Sequence, residues 1–230
     1  MSNIKGILFD FNGTLFFDSH FHIRAFEEYF LERGKEKPTP EFIIHNIFGR
    51  SNPRIYADNF DPDPTDEDCR IFADRKEGLY RKFCLESPEE MHLCDGAPEL
   101  LDFLKENGIP YCLATGSGLD NVSFYMENMG LGRWFDMNNI IYADGSFNGK
   151  PEPDAYILAA KKIGLSPSEC IVFEDGTSGI VAARRAEAGA VIALYDHSLP
   201  SPFTDGVECD AVYPDLTDWK EILKKFGVLR

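Results

Sequence analysis

The sequence predicts an α/β protein: a doubly wound parallel sheet forms the main domain, and a smaller all-helical domain is inserted after its first strand. Three observations lead there. Short apolar runs alternate with stretches of helical periodicity, the pattern of a parallel sheet covered by helices. Glycines stand where those helical stretches end, as a left-handed C′ residue requires. One long stretch, residues 18–91, holds helical patterns and no convincing strand.

The strand candidates are residues 4–11, 109–114, 139–143, 170–173 and 190–195. Each is poor in charge and rich in β-branched or aromatic residues, as a strand buried on both faces should be. Helices are expected over 97–107, 118–129, 153–163 and 177–188, ended by Gly108, Gly130, Gly164 and Gly189, with a closing helix over 215–226. In the inserted stretch, Asp18 or Ser19 is placed to cap a helix that runs to Arg33 and stops at Gly34. His22, Phe26, Tyr29 and Phe30 share one stripe of that helix. Further helices are expected over 41–47, 52–59 and 65–85. The predicted domains are therefore 1–17 plus 92–230 for the α/β core, and 18–91 for the helical insert.

Composition removes several classes of function. A chain of 230 residues buries roughly 70% of its unfolded surface and needs no covalent staples. With 43% apolar residues and no repeat, it is neither fibrous nor disordered. The balance of 23 basic against 39 acidic residues leaves a net charge of −16, so no nucleic-acid partner is expected, because a phosphate backbone needs a basic face. An anionic ligand must be held by a local cation against that field. No apolar run approaches the ~18 residues that a membrane span requires, and the N-terminal stretch has no basic leader, so a cytoplasmic protein is expected; with no obvious dimer seam, a monomer is expected. The six cysteines form no CxxC pair, and they are read as reduced, mostly buried thiols.

Open α/β sheets hold ligands beyond the carboxyl ends of their strands. There the first strand delivers Asp10-Phe11-Asn12-Gly13-Thr14 and the second Thr115-Gly116-Ser117. Lys150 precedes a Pro-Glu-Pro-Asp turn, and the fourth strand ends in Glu174-Asp175-Gly176. Carboxylates, a hydroxyl, mobile backbone amides and an ammonium suit a divalent cation with hard oxygen ligands beside a phosphoryl group. A carboxylate at a strand tip is then a candidate nucleophile. Gly13 and Thr14 read as structural: a special backbone angle and a hydroxyl that ties the turn.

The ordered motifs DFNGT, LATGS, GKPEPD and FEDGTSGI resemble those of the haloacid dehalogenase superfamily of phosphohydrolases, in the subgroup with a helical cap inserted after the first strand. Within it the chain is similar to beta-phosphoglucomutase and related sugar-phosphate phosphatases, and the stretch from His22 to Phe26 resembles the start of their cap. The resemblance implies a Rossmann-like core and a Mg²⁺ cofactor. It implies that Asp10 attacks phosphorus and becomes an aspartyl-phosphate, that Thr115 and the Gly116 amide hold phosphate oxygens, and that Lys150 neutralises Asp10 and the phosphate. Asp175, helped by Glu174, holds Mg²⁺ with Asp10 and the main-chain carbonyl of Asn12. The substrate implied is a small phosphorylated metabolite, a sugar phosphate.

Position 12 departs from that pattern, because such phosphatases carry there a second Asp that protonates the leaving group. Asn12 cannot, and losing a general acid/base costs typically ~10²–10⁴-fold in rate. Either another residue supplies the proton, with His22 the candidate, or the chain is a slow enzyme or a phosphate-binding protein, or Asn12 is an introduced change that traps a complex. Arg24 and Arg50 are candidate substrate contacts from the cap. Beta-phosphoglucomutase activity is one alternative. Phosphonate hydrolysis is another; it requires a buried cap lysine for a Schiff base. Of Lys35, Lys37, Lys76 and Lys82, the first two are read in a polar loop and the others on a charged helix, so none is expected to be buried.

Overall fold

A computed structural model of the chain describes residues 4–195 and 206–229. It divides into two compact units, 18–91 and 1–17 with 92–230. The first unit is helical: α1 (Ser19–Glu32), α2 (Pro40–Asn46), α3 (Asn52–Asn59) and α4 (Asp66–Glu86). Its starts follow local chemistry. Thr39 accepts from the Phe42 amide ahead of Pro40, and Thr65 with Asp68 makes a reciprocal capping box on α4. Asp18 precedes α1 but makes no side-chain cap. Its carboxylate instead accepts the Tyr80 hydroxyl at 2.5 Å. The centre of this unit is aromatic, with Tyr29, Phe30, Tyr56 and Phe72 all packed on Phe60.

The second unit carries a six-stranded, all-parallel sheet of β1 (Gly6–Phe9), β2 (Tyr111–Ala114), β3 (Ile140–Ile141), β4 (Cys170–Glu174), β5 (Ala190–Leu194) and β6 (Ala211–Tyr213). Their order is β3-β2-β1-β4-β5-β6, the doubly wound arrangement whose order reverses beside β1. Helices α5 (Ala97–Glu106), α6 (Leu119–Asn128), α7 (Asp154–Lys162), α8 (Thr177–Arg185) and α9 (Trp219–Lys225) complete the unit. On one face Leu8, Cys112, Ala114, Val172, Val191 and Ala193 meet Tyr156, Ala159 and Ala160 of α7 and Ile180, Ala182 and Ala183 of α8. The alternate residues Phe9 and Phe173 stack their rings at 5.3 Å. Both faces of β1 and β4 are thus apolar, which is why these strands read as unbroken hydrophobic runs.

Two expectations change. The short edge strand β6 was not anticipated, because its three residues are not fully buried and Val212 is exposed. Gly189 does not end α8 either. The left-handed C′ residue there is Glu187, at φ 59°. Gly189 is required for a different reason: a Cβ on it would lie 2.4 Å from the Ser168 carbonyl oxygen.

All six cysteines are free, and Cys84, Cys94, Cys112 and Cys170 are buried. Among the described residues no helix is long and apolar enough to cross a membrane.

Candidate active site

Strand register assembles the site. Phe9 pairs with Leu113 on one side and Phe173 on the other, so the next residues along each strand, Asp10, Ala114 and Glu174, emerge side by side. The Asp10 amide donates to the Phe173 carbonyl at 3.0 Å and fixes the tip of β1 against β4. Beyond it the chain turns tightly, with the amides of Thr14, Leu15 and Phe16 all directed at the Phe11 carbonyl. Gly13 makes that turn at φ 76°, and a Cβ on it would sit 2.0 Å from Asp175 Oδ2. Glycine here serves both the backbone angle and the seat of the Asp175 carboxylate.

Lys150 Nζ lies 2.5 Å from Asp10 Oδ1 and 2.5 Å from Glu174 Oε1. Thr14 Oγ1 reaches Asp10 Oδ2 at 3.2 Å and Asp175 Oδ1 at 3.5 Å. Glu174 Oε1 also accepts the Tyr156 hydroxyl, and Oε2 accepts the amides of Asp175 (3.1 Å) and Gly176 (3.4 Å). Asp10, Glu174 and Asp175 each offer a carboxylate oxygen within 4.8 Å of the others.

Burial pushes the Asp10 carboxyl up to about 7; Lys150 opposes this and Glu174 adds to it. Burial works against the Lys150 ammonium, but Asp10 and Glu174 outweigh it and hold its pKa above the usual lysine range. Three clustered carboxylates faced by one lysine are short of positive charge. A hard divalent cation such as Mg²⁺ fits this oxygen donor set.

Asn12 is held by side chains of the neighbouring elements. Its Oδ1 accepts from Ser117 Oγ at 2.7 Å, and its amide nitrogen donates to the Tyr125 hydroxyl at 2.9 Å. Thr115, buried at the end of β2, accepts the Ser117 amide on its Oγ1 at 3.1 Å, and Gly116 is exposed beside it. A Cβ on Gly116 would meet no atom within 4 Å, so there is open space on that side of its backbone.

The helical unit holds a cluster of its own, which corrects the reading of the cap lysines. Lys76 is 4% exposed. Its Nζ bonds His22 Nδ1 and Glu77 Oε1, each at 2.8 Å, and lies 4.8 Å from the Phe26 ring centroid. It stands between Arg75 and Glu77 in sequence, which made it look solvated. Yet Phe72, Lys76, Leu79, Tyr80 and Phe83 form one helical stripe, and that spacing was the available signal. An ammonium has no lone pair, so His22 Nδ1 accepts and Nε2 carries the hydrogen, 3.3 Å from Asp18 Oδ2. The His22 ring also stacks on Tyr80 at 4.0 Å. Arg24 covers the Phe83 ring and pairs with Glu86, while Arg50 pairs with Asp58; both are exposed.

The strand ends thus bring together Asp10, Lys150, Glu174 and Asp175. The sequence reading missed Tyr156, the clamp of Ser117 and Tyr125 on Asn12, and buried Lys76. A tyrosine among the alanines of α7 was the only trace of the first.

Comparison with known proteins finds relatives along most of the chain. Residues 4–187 match the family described as haloacid dehalogenase-like hydrolase. The chain is 30% identical over 223 residues to validoxylamine A 7′-phosphate phosphatase of Streptomyces hygroscopicus subsp. limoneus, covering 95% of this chain and 98% of that protein. It is 30% identical over 186 residues to fructose-1-phosphate phosphatase YqaB of Escherichia coli, covering 81% and 94%. A crystal structure of a family IA, variant 3 HAD hydrolase from Entamoeba histolytica superposes with a TM-score of 0.86 at 35% identity, over 97% of this chain and all of that one. Matched over most of its length and in its fold, this chain belongs to the haloacid dehalogenase-like hydrolases.

Proposed function

We propose that this hydrolase is a Mg²⁺-dependent phosphoryl-transfer enzyme that acts on a small phosphorylated metabolite, a sugar phosphate, through Asp10. The observation that carries the reading is Lys150 Nζ between Asp10 and Glu174, beside the Asp175 carboxylate. That two relatives are phosphatases, one named for fructose 1-phosphate, supports the substrate class and favours hydrolysis over the mutase reaction.

In the first step an Asp10 oxygen forms a bond to phosphorus, and the bond from phosphorus to the leaving oxygen breaks, its electron pair staying on that oxygen. Lys150 holds Asp10 in place and offsets charge on the transferring group. Thr115 Oγ1 and the Gly116 amide take phosphate oxygens. Asp10, Asp175 and the Asn12 main-chain carbonyl, with Glu174 beside them, would hold a Mg²⁺, which would supply positive charge against the carboxylates and the phosphoryl oxygens. Asn12 gives no proton to the leaving oxygen and takes none from water, so both alkyl-ester cleavage and hydrolysis of the aspartyl-phosphate are slow. His22 acts as a link between Asp18 and Lys76 rather than as the proton carrier, since its Nδ1 faces Lys76 and its Nε2 faces Asp18.

A rapid-mix time course with an aryl phosphate tests this reading, because a phenolate leaves without a proton. The expected result in Mg²⁺ is a burst of about one phenolate per enzyme followed by a stall. No burst with or without Mg²⁺ would overturn the nucleophilic role of Asp10 and leave a phosphate-binding protein.

Buried Lys76 favours a second reading, phosphonate hydrolysis through a Schiff base. Borohydride added with a phosphonate aldehyde should then leave a reduced adduct on Lys76, detected by peptide mass; an unmodified Lys76 removes this reading.

A further inference from the structure

We infer that Tyr156 is a positioning residue of the Asp10 centre, its hydroxyl fixing the one Glu174 oxygen on which Lys150 also rests. The inference depends on the reading of that centre as a cation and phosphoryl site. Tyr156 is fully buried in the first turn of α7, beside Ala159 and Ala160, where packing alone asks for a ring and not for a hydroxyl. The hydroxyl donates to Glu174 Oε1, and Lys150 Nζ meets the same atom at 2.5 Å while lying 5.0 Å from the Tyr156 ring centroid.

The other sides of the carboxylate are closed as well. The amides of Asp175 and Gly176 take Oε2. On the α8 side, a Cβ on Gly179 would lie 1.8 Å from Oε1, so only glycine leaves room. Glu174 is therefore held by a donor on α7, a gap on α8 and the turn that carries Asp175. Without the Tyr156 hydroxyl, Oε1 keeps Lys150 alone, and the carboxylate loses the only tie that comes from α7 among the described residues. Any movement of it passes to the Asp175 amide, tied to the other oxygen, and to Lys150, tied to Asp10. Groups that orient metal-binding carboxylates typically contribute ~10–100-fold in metal affinity.

The test is Tyr156→Phe, which keeps the ring, followed by calorimetric Mg²⁺ titration and by melting in EDTA. The expected result is Mg²⁺ affinity weakened by about tenfold or more, with the EDTA melting temperature close to that of the wild type. Gly179→Ala, which crowds the same carboxylate from the other helix, should weaken Mg²⁺ in the same direction. A lowered melting temperature with unchanged Mg²⁺ affinity would make Tyr156 a packing residue and overturn the inference. A wild type that does not bind Mg²⁺ would overturn the site reading itself, and the role of Tyr156 with it.

Discussion

Ser117 Oγ donates to Asn12 Oδ1 at 2.7 Å, and on the other side the Asn12 amide nitrogen donates to the Tyr125 hydroxyl at 2.9 Å. Both neighbours are hydroxyls, which can donate as well as accept. A carboxylate has the shape of the carboxamide, so an aspartate at position 12 fits the same pocket once the Tyr125 hydroxyl turns to donate.

Asn12→Asp is therefore expected to fold normally and to supply the missing acid and base. Steady-state phosphate release from an alkyl phosphate should rise by roughly 10²–10⁴-fold. An unchanged rate would mean that another group already carries the proton, and Asn12 would not be the limiting residue.

Gly13→Ala tests how the Asp175 carboxylate is seated. The new methyl would meet Asp175 Oδ2 at 2.0 Å, in a backbone conformation of φ 76° that disfavours any Cβ. Strain of this kind costs about 1–3 kcal/mol. Melting should show the loss of stability, and the rise in melting temperature that Mg²⁺ gives the wild type should shrink or vanish. A variant that keeps the full Mg²⁺ increment would remove Asp175 from the cation site.

How far these features were legible depends on how each residue is used. The strands β1 and β4 announce themselves because both faces are buried and no polar residue interrupts them. β6 has half-exposed ends and an exposed Val212, so its three residues carry no pattern that separates them from a loop. Asp10, Lys150, Glu174 and Asp175 could be singled out because each follows a strand or starts a turn at the same sheet edge. Tyr156, Tyr125 and Lys76 lie inside helices, where a polar group on an apolar face reads as packing until its partner is known. Their partners are distant in sequence, Glu174, Asn12 and His22 respectively, and only the fold pairs them.

The crowding of carboxylates predicts a pH-dependent cost in the metal-free protein. The folded pKa of Asp10, about 7, stands above its unfolded value of 3.8, so folding is favoured by the proton and penalised by ionisation. The penalty begins as pH rises past 3.8 and is complete above about 7. In EDTA, Asp10→Asn should melt at a higher temperature than the wild type at pH 8 and with little difference near pH 4. Adding Mg²⁺ at pH 8 should stabilise the wild type more than the variant. A melting gap that does not grow with pH would show that Lys150 fully compensates Asp10.

Thiol chemistry should divide the cysteines. Burial pushes the thiols of Cys84, Cys112 and Cys170 up to about 12 and that of Cys94 higher still, so few thiolates form at any working pH. Cys69 and Cys209 are only partly buried. Brief alkylation of the native protein at pH 8, read by peptide mass, should mark Cys69 and Cys209 and leave the other four. Early labelling of Cys112 or Cys170 would mean that the sheet opens far more readily than its packing implies.

Lys76 offers the sharpest stability contrast in the helical unit. Lys76→Met keeps most of the side-chain volume over Phe26 but leaves His22 Nδ1 and the Glu77 carboxylate without this donor. Losing a buried donor of this kind costs about 1–3 kcal/mol, with the lower part of the range expected because Glu77 is partly exposed. Lys82, on the same helix, is 61% exposed in its side chain and lies 3.7 Å from Glu86, so Lys82→Met should change stability by less than about 0.5 kcal/mol. Adding Glu77→Gln to Lys76→Met should recover part of the loss, since a neutral amide needs less compensation than a carboxylate. Denaturant unfolding of the four proteins forms the comparison. Equal effects of Lys76→Met and Lys82→Met would show that the buried ammonium contributes nothing beyond an ordinary surface charge.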